Sequence, residues 1–143
     1  MRARAPLFAV IAAMVLALAG TPARADDDKQ MAQHKITQAK SYVPIEPMYA
    51  TILDDGRPVG LLLVHIGLSV SDEGLRIQTE HALPVLRDAY LRNLMIFAAA
   101  AVRPWQQPDV IVIANRLQRV TDRALHSKGA KVLLGQVMIR ISR

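Results

Sequence analysis

The residues able to do chemistry are few and scattered. Four histidines, His34, His65, His81 and His126, occur in a chain without cysteine. No two of them stand two, three or four positions apart, the spacings that bring a pair to one face around a metal ion. Asp122, His126 and Ser127 are the residue types of an acid–base–nucleophile triad, but they lie on one helical stretch. No G-x-S-x-G elbow is present to lift the serine. The carboxylate pairs Asp54/Asp55 and Asp72/Glu73 sit in turn sequences, their commonest use. Gly56, Gly60, Gly67 and Gly74 make neither phosphate-binding pattern, G-x-x-x-x-G-K or G-x-G-x-x-G. The sequence therefore assigns no catalytic residue, no cofactor-binding residue and no metal ligand, and reads as a non-enzyme.

One charged pattern does have a helical period. Arg116, Arg119 and Arg123 follow at spacings of three and four, which stacks them on one side of a helix. They form either a solvated face opposite the Leu117/Val120/Ala124 seam or a basic stripe for an acidic partner or anionic lipid headgroups. Trp105, the one tryptophan, stands between Pro104 and Pro108. It either pins that surface to a membrane or partner or caps the core.

The elements that must position these residues follow from hydrophobic period. Pro84 to Val102 predicts the central helix, with Leu86, Tyr90, Leu94, Phe97 and Ala101 as one stripe. Beyond Asn93 it is apolar all round and needs cover, and Met95, Ala99 and Val102 are the positions left over for a subunit contact. Leu75 to Leu83 reads as a short helix or an irregular lead-in. Met48–Leu53 and Val59–Val70 alternate as strands, with Leu62, Val64, Ile66, Leu68 and Val70 on the buried face, and the Asp54–Pro58 turn folds them into an antiparallel hairpin. Asp109 caps a second helix, Val110–Ser127, with a seam of Val110, Ile113, Leu117, Val120 and Ala124. Gly129 stops it, and Lys131–Ser142 closes the chain as a strand. The order strand–strand–helix–helix–strand predicts an α+β fold, an antiparallel-rich sheet backed by two helices.

At 143 residues, 52% hydrophobic and 21% charged, the chain has room for one domain. Residues 1–25 read as a signal peptide or an uncleaved membrane anchor. Arg2 and Arg4 precede the apolar run Ala5–Gly20, and Ala23-Arg24-Ala25 supplies a small-residue cleavage site. Either reading puts the remainder in the periplasm or an equivalent exported space. Residues 26–41 read as a flexible linker and 42–143 as the folded domain. Without Arg2, Arg4 and Arg24 the formal charge falls from +6 to +3, so the basic whole-chain balance is no argument for nucleic-acid binding.

Tyr42–Pro47 (Y-V-P-I-E-P) leads into a hairpin whose second strand reads L-L-V-H-I-G-L-S-V. Pro84–Asp88 (P-V-L-R-D), Asn115–Leu117 (N-R-L) and a last hydrophobic strand follow. In this order the segments resemble the flagellar basal-body-associated FliL family, from about Tyr42 to Arg143. The leader is shorter here, and the last strand ends in Ile139–Arg143 without that family's usual aromatic-rich stretch. The resemblance implies a stomatin-like periplasmic domain and a non-catalytic scaffold. It implies self-association, a place beside the inner-membrane stator units, and no cofactor. A soluble periplasmic ligand-binding or envelope-complex module unrelated to flagella is the alternative.

Overall fold

The computed structural model describes residues 35–36 and 39–142. The signal peptide or anchor expected over residues 1–25, and most of the linker expected over 26–41, lie outside the described residues. No helix among the described residues is long and apolar enough to cross a membrane. The fold is α+β, a four-stranded antiparallel sheet with two helices.

The strands are β1 (Tyr42–Pro44), β2 (Met48–Asp54), β3 (Arg57–Val70) and β4 (Ala130–Ile141), and the helices are α1 (Glu73–Ala101) and α2 (Val110–Leu125). β3 is the axis of the sheet. β1 and β2 lie end to end along one of its edges, Tyr42 opposite Ser69 and Met48 opposite Val64. β4 runs the length of its other edge, from Ala130 opposite Val70 to Ile141 opposite Gly60. Asp55 and Gly56 turn the β2–β3 hairpin with φ of 47° and 76°, the two positive angles that an Asp-Gly turn supplies. The β3–β4 register slips between His65 and Ile66, whose partners are Gln136 and Leu134, so Gly135 is an extra residue bulged out of β4.

Alternation along β3 comes out as the sequence predicts. Leu62, Val64, Ile66, Leu68 and Val70 are buried beneath the helices, and His65 is half-buried on the other face. They join Met48, Ala50 and Ile52 of β2, Leu86, Tyr90, Leu94 and Phe97 of α1, and Ile113, Leu117 and Leu125 of α2 in one core.

Two boundaries and one helix seam differ from the sequence expectation. The central helix begins at Glu73 rather than Pro84, and the supposed lead-in is its first three turns. Asp72 accepts from Leu75 N at 2.6 Å, and Arg76 pairs with Glu80 at 2.8 Å, so these turns carry their own cap and ion pair. Pro84 sits inside the helix, exposed, where a missing N–H displaces no core contact. The second helix ends at Leu125, closed by His126 in the left-handed region (φ 51°), rather than at Ser127 with Gly129 as the stop. Its seam is Ile113, Leu117, Thr121 and Leu125, one step round from Val120 and Ala124, which are half-buried, while Val110 at its start is exposed.

Candidate interaction surface

Two hydroxyls and an ion pair fix the helices before any surface is presented. Thr121 Oγ1 donates to the Leu117 carbonyl at 2.8 Å, so its one proton is used. The Tyr90 hydroxyl, 2.5 Å away, must then donate to Thr121 Oγ1, tying α1 to α2 inside the core. Burial away from water pushes the Tyr90 phenol up to about 12. Arg87 of α1 forms an ion pair with Glu46 in the bend between β1 and β2. The P-V-L-R-D and Y-V-P-I-E-P segments, far apart in sequence, therefore touch in the fold.

The arginine row does not form one free stripe. Arg116 is half-buried, its guanidinium 5.4 Å from the centre of the Phe97 ring, and acts as a cation over an aromatic face at the helix–helix seam. Arg119 and Arg123 stay exposed on the same side. The triad types are not assembled: Asp122 accepts from Gln118 Nε2 at 2.7 Å, and His126 is the helix-closing residue. Among the described residues, no three His, Cys, Asp or Glu side chains gather where a metal ion could bind.

Of the positions expected at a subunit contact, Met95 is half-exposed and Ala99 partly covered, but Val102 is withdrawn, at 1% exposure. Past the last helical turn Val102 adopts extended backbone (φ −90°, ψ 133°), which breaks the helical period and brings its side chain into the core. Periodicity also missed Ile96 and Val85, which are 66% and 62% exposed on the outer side of α1. Trp105 is 74% exposed and does not cap the core. It stands on the α1–α2 turn, near a small hollow of about 210 Å³ lined by Phe97, Val102, Arg103 and Val112.

A second uncovered region lies where the start of α2 meets the edge of β4. Val110, Ile111 and Ala114 face Leu134, Gly135, Gln136 and Val137 across an apolar groove of about 400 Å³. Towards the beginning of β4, the Gln118 side chain takes the place of a neighbouring strand. Its Nε2 donates to Ala130 O at 2.9 Å, and its Oε1 accepts from Val132 N at 2.9 Å. No sequence pattern marks this use of Gln118, because a polar residue on a helix side is ordinary until the strand beside it is known. On the sheet face away from the helices, Tyr42, His65, Leu133 and Gln136 line a further groove of about 520 Å³.

In comparison with known proteins, the chain matches no family model and no curated protein.

Proposed function

We propose that the protein is a non-enzymatic periplasmic scaffold, resembling the FliL family, that associates with itself and with an inner-membrane stator or other envelope complex. The observation that carries this reading is the uncovered apolar side of the helical layer. Val85, Met95, Ile96 and Trp105 are each at least half exposed along α1 and the turn after it. Scattered single apolar residues are normal on a surface, but Met95 and Ile96 are adjacent near the end of α1, with Trp105 on the turn after it, while the exposed Asp88–Arg92 ion pair separates Val85 from them. The meeting of Arg87 with Glu46 lends support, since it joins the two segments on which the resemblance chiefly rests.

A deletion strain tests the flagellar part: loss of swimming or torque is expected, and wild-type swimming and torque overturn it. N-terminal sequencing of the mature protein, with membrane fractionation, tests the setting. An intact Met1 in the membrane fraction identifies an anchored subunit, and a start near Asp26 in the soluble fraction identifies a free periplasmic one. The alternative, a periplasmic module unrelated to flagella that binds a small ligand, is favoured by the groove beneath Tyr42 and His65. A ligand co-purifying with the wild type and lost on His65→Ala would select it.

A further inference from the structure

The backbone of β4 has two edges, and only one is used along its whole length. Ala130 and Val132 turn their backbone groups away from β3, since those are the groups that Gln118 meets. Backbone direction alternates along a strand, and the extra residue at Gly135 shifts the count by one. Past the bulge, therefore, Val137, Ile139 and Ile141 are the residues whose N–H and C=O point outward. Gln136, Met138 and Arg140 point theirs at β3. The bond from Ser142 N to Val59 O, at 3.0 Å, agrees with that parity. β4 pairs with β3 alone, so the outward groups of Val137, Ile139 and Ile141 have no strand beside them among the described residues. Native folds blunt such an edge with charge, proline or a covering element. Here Gln118 covers only the beginning of the strand. The rest is a β-branched row, and Ile141 is 58% exposed at its end.

We propose that this edge pairs antiparallel with the same edge of a second copy of the chain, about a twofold axis at Ile139. The self-pairing sets Val137 opposite the second copy's Ile141, with both side chains on the helix-facing side of the joined sheet. Each Ile141 then lies beside Val137, at the groove between the start of α2 and β4, against Val110, Ile111 and Ala114. On the other face Arg140 comes opposite Met138 rather than opposite its own copy, so the register places no like charges directly across. The two α2 helices start at opposite ends of the paired segment and do not compete for space. A strand pair of this length covers roughly 17 Å by 10 Å. Backbone pairing alone thus falls short of the ~1,200–2,000 Å² of a stable interface. The exposed Val110, Ile111 and Ile141 add apolar area, and the dimer is a weak one that depends on concentration. This assigns a surface to the self-association in the proposed scaffold role, and it rests on that reading only for its setting.

Cysteine mapping tests the register, since the 143-residue chain carries no cysteine of its own. Ile139→Cys self-pairs at a Cα separation of about 5.5 Å, within the ~4.4–6.8 Å that a disulfide spans. Oxidation in cells is expected to give a disulfide dimer with Ile139→Cys, and also with Met138→Cys/Arg140→Cys in one chain. Thr51→Cys, on the opposite edge of the sheet, and Trp105→Cys are expected to stay monomeric. Ile141→Lys added to Ile139→Cys lowers the dimer yield several-fold. Ile139→Pro keeps the ladder to β3, because its N–H points outward, and is expected to fold by circular dichroism yet sediment as a monomer. No dimer from either Ile139→Cys or the Met138/Arg140 pair overturns the inference, as does equal dimer at Thr51. A dimer at Trp105 without one at Ile139 also overturns it, while leaving the scaffold reading intact.

Discussion

Tyr90 and Thr121 occupy positions where a phenylalanine and a valine would pack equally well, so their hydroxyls matter through hydrogen bonding. Tyr90→Phe leaves Thr121 its carbonyl partner and is expected to cost about 1 kcal/mol in urea unfolding. Thr121→Val strands the buried phenol and is expected to cost more, ~1–3 kcal/mol. The same pair sets an alkaline limit. The folded Tyr90 phenol ionises near 12, above the ~10 of an unfolded chain, so folding favours its neutral form. That contribution is full below pH 10 and is lost as the pH rises from about 10 to about 12. Unfolding curves at pH 9 and 11.5 are expected to diverge in the wild type by a margin that Tyr90→Phe reduces. Gly60 shows a different limit: a Cβ there would lie 2.6 Å from the Arg140 carbonyl oxygen, a backbone atom that cannot swing aside. Gly60→Ala is expected to destabilise by about 1–3 kcal/mol in the same measurement, by forcing β3 and β4 apart.

Among the elements, the hairpin and the buried face of β3 were legible because a short turn and a period of two leave little choice. Asp55-Gly56 fixes the turn, and five alternate aliphatic residues fix the face. The helices were legible in kind but not in extent. A proline at position 84 reads as a beginning, yet the cap at Asp72 and the ion pair at Arg76 start α1 earlier and carry it past Pro84. The interior proline lacks an N–H and crowds the carbonyl four residues before it, so Pro84→Ala is expected to stabilise by about 1–3 kcal/mol in a thermal melt. In α2 the seam was misplaced by one step because Thr121 is polar in type and buried in fact. Gln118 was not legible at all, since its meaning depends on β4 lying beside it. Gln118→Ala is expected to leave the helix intact by circular dichroism while speeding amide exchange at Val132, whose N–H then faces water.

For the molecule as a whole, the sequence indicated surplus apolar surface but misjudged where it emerges. The positions predicted around Met95 included Val102, which the end of α1 turns inward, while Ile96 and Trp105 carry much of the exposure. Ile96→Ser with Trp105→Ser is expected to change stability by less than about 0.5 kcal/mol and, in a chain that begins at Asp26, to abolish co-sedimentation with the envelope fraction. A loss of stability comparable to a core substitution would instead mean that these residues hold the fold. The bulge at Gly135 has a consequence for how the chain tolerates changes in length. The residues on either side of it, Leu134 and Gln136, already pair with adjacent positions of β3. A chain lacking Gly135 would close into an unbroken ladder with every flanking side chain on its present face. Removing a single residue elsewhere in β4, such as Val132 or Met138, would turn one end of the strand inside out. A relative one residue shorter at this point could therefore share the whole architecture, and its β4 would differ chiefly in being less twisted.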